Sequence, residues 1–196
     1  MDALTSELIK ALGSGAMSQI GKSVGADKKS TESALSAALP VLFSALANNA
    51  SKPAGAKSLH DAITRDHDGS VLYNLDEYLA HPKIEDGKGI LSHALGAKQP
   101  AVEKGLAAKT GLSGEQIGQI LTIAAPIVMA ALGSKQRKQN LDADGLASIL
   151  GGELQQTRKS KDPDLLGVLN TVFDADQDGS AVDELMGLVG DMMKKK

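Results

Sequence analysis

Two long and almost entirely apolar segments, each with a proline in its interior, constrain the fold of this 196-residue chain more than any other feature. They run over residues 27–47 and 113–133, and the prolines, Pro40 and Pro126, are 86 residues apart. Apolar residues on nearly all sides of a helical pattern indicate a helix that is buried within the protein. A proline inside a helix removes a backbone hydrogen bond and crowds the preceding turn. The sequence therefore predicts two Pro-kinked central helices, at about 28–47 and 114–132.

The rest of the chain repeats around these two helices, and no stretch alternates in the period of two that strands require. The predicted class is all-α, a multi-helix orthogonal or bundle fold with an internal duplication. A duplicated domain is predicted over 1–150, with repeats at about 1–80 and 86–150. A linker-like stretch at 151–163 and a C-terminal helix–loop–helix at 164–196, packed on the same domain, complete the chain. The repeats form either two small bundles or one pseudo-symmetric unit, and the apolar central helices favour the latter.

Shorter helices are predicted from apolar spacing and from glycine or aspartate at their ends. They lie at about 2–13, 16–24, 56–65, 71–79, 101–109, 144–150 and 164–173.

Composition excludes several classes of function. Aromatic residues are 2% of the chain, which disfavours binding by base or sugar stacking. The net charge of −3 provides no general attraction to nucleic acid, and the absence of cysteine excludes disulfides and thiolate chemistry. The longest nearly apolar run, residues 120–133, is shorter than the ~20 residues of a membrane span. Since residues 1–10 also lack a secretory signal, we expect a cytoplasmic protein without a membrane span.

Several motifs together resemble the YidB-like bacterial family, whose function is largely unknown. They are T-G-L-S-x-x-Q-I at 110–117, A-A-P-I-V at 124–128, the segment 134–150, D-H-D-G-S-V-L at 66–72 and the segment 174–185. The resemblance implies an all-helical fold that contains a homeodomain-like arrangement of helices. It supplies no catalytic residues.

An aspartate-rich segment near the C-terminus has the first half of an EF-hand calcium loop, with carboxylates at positions 1, 3 and 5 and a glycine at position 6. Leu185 stands at position 12, where a bidentate glutamate is expected. The alternative is a capped helix start, in which the acidic residues face the helix dipole. The candidate calcium ligands are Asp174, Asp176, Asp178, Ser180 and Asp183.

The earlier D-H-D-G-S loop at 66–70 is a weaker metal candidate, because Thr64 replaces the first aspartate of the same frame. Its neighbouring histidines have no standard spacing for a helical ligand pair, which favours exposed loop histidines over a metal site. They are His60, His67 and His81.

Ala107, Gly111 and Ile117 have helix-turn-helix spacing. The polar residues at 113–122 include no lysine or arginine that could contact phosphates or guanine, which favours a packing role. Three lysines in the matching first-repeat segment favour the alternative, DNA binding. The polar residues are Ser113, Glu115, Gln116, Gln119 and Thr122, and the lysines are Lys22, Lys28 and Lys29.

Basic clusters at 135–138, 158–161 and 194–196 are predicted to be solvated loop or terminal charges. No nucleophile motif or phosphate-binding loop has the context that it requires. The predicted function is therefore a non-enzymatic helical scaffold or protein-interaction module, with an unidentified protein partner or a homodimer. The alternatives are a calcium-binding protein and a helix-turn-helix nucleic-acid binder.

Overall fold

The computed structural model describes residues 3–173, and all regular secondary structure in that range is helical, which confirms the all-α prediction. Only the first helix of the predicted C-terminal helix–loop–helix lies in this range. A short 3-10 turn, Gly96–Lys98, precedes the seventh helix. The helices are α1 (Ala3–Val24), α2 (Lys28–Asn49), α3 (Pro53–Asp66), α4 (Ser70–Tyr73), α5 (Leu75–Ala80), α6 (Ile84–Ala94), α7 (Gln99–Thr110), α8 (Gly114–Gln139), α9 (Ala143–Arg158) and α10 (Pro163–Phe173).

Equivalent turns lead into the two central helices. Gly25 after α1 and Gly111 after α7 both have left-handed backbone, with φ of 68° and 76°. Glycine adopts this conformation without the steric cost of a side chain, which makes it a common helix terminator. Asp27 and Ser113 then cap α2 and α8, and each accepts a hydrogen bond from the backbone N–H three residues later. The two central helices therefore begin with the same turn and cap geometry.

The central helices α2 and α8 pack against each other and belong to one continuous hydrophobic core. Every residue of α8 from 120 to 130 is buried, and α2 is similarly buried from 37 to 47. The helices continue past Pro40 and Pro126 and end at Asn49 and Gln139, later than predicted. Residues of both central helices therefore contribute to the same core.

Both central helices are long and apolar enough to cross a membrane by length and composition alone. The 26 residues of α8 extend well beyond the apolar run at 120–133. In each helix, however, 78% of the most apolar window is buried inside the protein. Core helices of globular proteins have the same properties, so these two helices do not by themselves indicate a membrane span.

The predicted linker at 151–163 is wrong over most of its length, because α9 continues to Arg158. Glu153 of α9 is buried, and its carboxylate accepts hydrogen bonds from the backbone N–H groups of Leu4 and Thr5, at 3.1 and 2.8 Å. The Thr5 hydroxyl also donates to it, at 2.9 Å. Glu153 thereby satisfies free N–H groups in the first turn of α1. Within this polar segment, Glu153 therefore makes a buried contact between distant parts of the chain.

The predicted helix over 71–79 is divided into α4 and α5 at Asn74, whose φ and ψ are −120° and 42°. Conversely, the helices predicted separately at 2–13 and 16–24 form one helical stretch, α1, with a local break at Gly13. The short α4–α5 pair packs across α8 and α1. This packing leaves an open groove on the surface between α1 and the α4–α5 pair.

Candidate functional site

The loop before α4 is fixed against the second half of α8. The backbone carbonyl of His67 lies so close to Gly133 that a Cβ atom on residue 133 would be 1.8 Å from its oxygen. Within the loop, Asp68 accepts a hydrogen bond from the Ser70 backbone N–H at 2.9 Å. Arg137 of α8 lies 3.7 Å from the Asp68 carboxylate. One end of the α4–α5 pair is therefore anchored by close backbone packing.

The other end of the pair is anchored by Tyr78. Its side chain is buried, and its hydroxyl donates to the backbone carbonyl of Ile123 at 3.0 Å. Burial raises the pKa of Tyr78, and the nearby charge of Asp86 raises it further. Gln19 of α1 adds a long hydrogen bond, 3.5 Å, to the backbone carbonyl of Asp76. The tyrosine is thus a neutral, buried attachment to α8.

Between these anchors, no residue from 71 to 77 is buried. Tyr73 is 76% exposed, while Leu72 and Leu75 are half-buried. Together with α1 they form an open groove of about 470 Å³, which we call the Tyr73 groove. Its lining residues are Ala11, Leu12, Leu72, Tyr73, Asn74, Leu75, Asp76 and Glu77.

One rim of the Tyr73 groove is acidic. Asp76 and Glu77 are exposed and lie in the first turn of α5, where the helix dipole favours negative charge. Neither carboxylate forms an ion pair with a lysine, arginine or histidine of residues 3–173. The groove therefore combines exposed apolar surface with two carboxylates that remain available to a cationic group.

The predicted calcium ligands Asp174, Asp176, Asp178, Ser180 and Asp183 lie outside the described residues. In the earlier loop, the Asp66 carboxylate accepts hydrogen bonds from Nε and Nη2 of Arg65, and the Asp68 carboxylate accepts one from the Ser70 backbone N–H. The Arg65 side chain holds the pKa of Asp66 below the ordinary value, and the side chain and backbone N–H of Ser70 do the same for Asp68. Their negative charges are thus already compensated by protein groups.

The histidines near this loop are not brought together. His67 is buried, with Nε2 4.0 Å from the Asp86 carboxylate, whereas His60 lies beside Asp61 on α3. Within residues 3–173, no group of three or more histidine, aspartate or glutamate side chains is arranged to hold a metal ion.

The segment with helix-turn-helix spacing forms the end of α7, the turn at Gly111 and the start of α8. Gln116, one of its polar residues, donates hydrogen bonds to the carbonyl oxygens of Val24 and Gly25 at the end of α1, at 3.2 and 3.0 Å. Thr122 is buried. Two of the five polar residues are therefore used in internal packing. The other three, Ser113, Glu115 and Gln119, remain exposed. The first-repeat lysines Lys22, Lys28 and Lys29 are exposed as well.

The basic cluster at 135–138 lies in the last turns of α8 and not in a loop, which corrects the prediction. Lys135 pairs with Glu7 at 3.3 Å, and Arg137 lies near Asp68. In the second cluster, the Arg158 guanidinium stacks on Phe173, 4.6 Å from the ring centroid, and its burial lowers its pKa. These cations mainly support local packing.

The family model "Bacterial protein of unknown function (DUF937)" matches residues 6–136, two thirds of the chain. The chain belongs to this family. The match includes α2, all but the last three residues of α8 and all residues of the Tyr73 groove. It does not confirm the narrower resemblance to YidB-like proteins, which stays a prediction. No curated protein and no solved structure matches the chain significantly.

Sequence reasoning missed the Tyr73 groove. Tyr73 is one of only two tyrosines in the chain, and this scarcity was the one available signal. Its exposure depends on the break at Asn74 and on the packing of α5 against α1, which spacing alone does not reveal.

Proposed function

We propose that this DUF937 protein is a non-enzymatic protein-interaction module, and that the Tyr73 groove is its contact surface. The exposure of Tyr73 carries the proposal, because a large aromatic side chain that projects from a fixed element is typical of interface residues. Leu72 and Leu75 line the same groove and add apolar surface to it.

The anchors at both ends of the α4–α5 pair support this role. Close packing at Gly133 and the Tyr78 hydrogen bond hold the groove before any partner binds. A preformed surface loses less conformational entropy on association than a mobile one. The short helices thus present Tyr73 on a supported platform.

The chemistry of the groove supports a binding role in preference to catalysis. Among the described residues that line it, the polar side chains are one amide, one phenol and two carboxylates exposed to solvent. None of these side chains is buried, and neither carboxylate forms an ion pair within the described residues, whereas catalytic groups are commonly buried and paired. A turnover that is lost on a single substitution in this groove would contradict the non-enzymatic assignment.

The proposal is tested by comparing purified variants as baits in lysates of the native bacterium. Tyr73→Ser combined with Leu75→Ser removes the exposed aromatic ring and one of the leucines of the groove, whereas Ala108→Ser alters an exposed position on α7. We expect a defined set of proteins to be recovered by the wild type and by the Ala108 variant but not by the groove variant. Equal recovery by all three would exclude the Tyr73 groove as the contact surface, provided that circular dichroism shows equal folding.

A further inference from the structure

We propose that the Tyr73 groove binds a basic amphipathic segment of another protein, with an apolar side chain in the groove and a lysine or arginine against its acidic rim. This inference rests on the proposed function and adds the chemistry of the partner. It follows from the charges and the apolar residues of the groove.

Asp76 and Glu77 specify the charge of the partner. Both carboxylates are exposed, and the described lysines, arginines and histidines leave them without an ion pair. An approaching cation would form charge-assisted hydrogen bonds with them and would be steered toward the groove. An acidic partner would be repelled by the same two groups.

The apolar residues specify the other part of the partner. Leu72 and Leu75 are half-buried, so an aliphatic side chain laid between them would remove their remaining apolar surface from water. The exposed ring of Tyr73 can also stack against a guanidinium or ammonium group. A helix with one apolar and one basic face meets both requirements, as in other cases of helix-in-groove recognition.

A second copy of this chain fits the groove less well. A twofold contact between two Tyr73 grooves would bring two Asp76 and two Glu77 side chains together. Like charges across an interface oppose association. Nucleic acid is disfavoured for the same reason, because its phosphates would face these carboxylates.

The test uses the full-length chain labelled with ¹⁵N and three synthetic peptides of about 18 residues, or five helical turns. The first peptide has leucine on one helical face and lysine on the other. The second has leucine and glutamate in the same arrangement, and the third has serine and lysine. We expect the leucine–lysine peptide alone to shift the amide resonances of Ala11 and residues 72–77 in a saturable manner. Binding of the leucine–glutamate peptide at the same resonances, or no shift with any peptide, would overturn the proposal.

A matched pair of variants tests the role of the acidic rim. Asp76→Asn with Glu77→Gln removes its charge, whereas Glu115→Gln with Asp144→Asn removes two exposed first-turn carboxylates elsewhere. We expect the rim variant to weaken binding of the leucine–lysine peptide at least about fivefold, and the control pair to leave it within about twofold. Equal weakening by both would show attraction to net charge alone and would overturn the assignment of the rim.

These outcomes are distinct from failure of the proposed function. If Tyr73→Ser with Leu75→Ser abolishes recovery of the native partners while the rim variant retains it, the groove is a contact surface but its partner is not basic.

Discussion

Gly87 lies directly against the carbonyl oxygen of Thr122, such that a Cβ atom on residue 87 would be 2.0 Å from that oxygen. Thr122 is four residues before Pro126, which has no N–H to donate to this carbonyl. Helix α6 therefore packs its backbone directly against α8 at the carbonyl that the proline leaves without its helical hydrogen bond. Tyr78 donates to the next carbonyl, that of Ile123.

Gly87→Ala should therefore destabilise the fold by about 2–3 kcal/mol, since the new methyl group forces α6 and α8 apart. Gly89 is the matched control, because it lies on the same helix and a methyl group there would have no neighbouring atom within 4 Å. Gly89→Ala should stabilise the fold by about 0.5–1 kcal/mol through helix propensity. Urea unfolding measures both values, and equal effects would contradict the close approach.

Glu153→Ala should lower the free energy of unfolding by about 2–3 kcal/mol, because it leaves the N–H groups of Leu4 and Thr5 without their carboxylate acceptor. Glu32→Ala, at an exposed position of α2, should change it by less than about 0.5 kcal/mol. The comparison again uses urea unfolding. A loss below about 1 kcal/mol for the Glu153 variant would mean that α9 does not cap α1.

The sequence predicted contacts between residues that are close along the chain, such as the helix caps, but not contacts between distant residues, such as those of Gly87 and Glu153. Asp27 and Ser113 act on backbone groups three residues away, so their local patterns predicted the starts of both central helices. Glu153 accepts hydrogen bonds from Thr5 and Leu4, which lie 148 and 149 positions earlier in the sequence. The surrounding segment, G-G-E-L-Q-Q, has the polar and glycine-rich composition of a linker. It forms part of α9, where Glu153 is buried against α1, and this distant contact is not evident from the local sequence.

The Tyr73 groove was hidden from sequence analysis for a related reason. Apolar spacing over 71–79 correctly predicted helical structure, but the break at Asn74 directs Tyr73 to solvent and Tyr78 into the core. The two tyrosines are five residues apart and have the same side chain, so residue type alone does not distinguish them. Their different environments come from the position of α8, which contacts only the second of them through a hydrogen bond.

Alkaline titration should distinguish the ionisation of the buried Tyr78 from that of the exposed Tyr73. Burial raises the pKa of Tyr78 above the ordinary value of 10.0, so folding favours its neutral form. The associated stability is fully present below pH 10.0 and is lost as the pH rises toward the folded pKa. In a Tyr73→Phe variant, tyrosinate absorbance should therefore appear only above the ordinary range and together with unfolding. Ionisation of Tyr78 near its ordinary value in a folded protein would contradict its burial.

A calcium titration distinguishes the two interpretations of the aspartate-rich segment near the C-terminus. Its candidate ligands are Asp174, Asp176, Asp178, Ser180 and Asp183. The calcium interpretation predicts that millimolar calcium raises the Tm and that Asp176→Ala with Asp178→Ala abolishes the increase. Magnesium at the same concentration is the control for ionic strength. A Tm that is unchanged by calcium would exclude that interpretation and leave the capped helix start.

The central claim, that the Tyr73 groove contacts a protein partner, is tested most directly by photo-crosslinking in living bacteria. A photoreactive phenylalanine analogue is placed at position 73 or, as a control, at the exposed position 108. Irradiation should produce a discrete crosslinked species at position 73 that is absent at position 108 and is lost when Leu75→Ser is added. No crosslinked species at position 73, or the same species at both positions, would contradict the account.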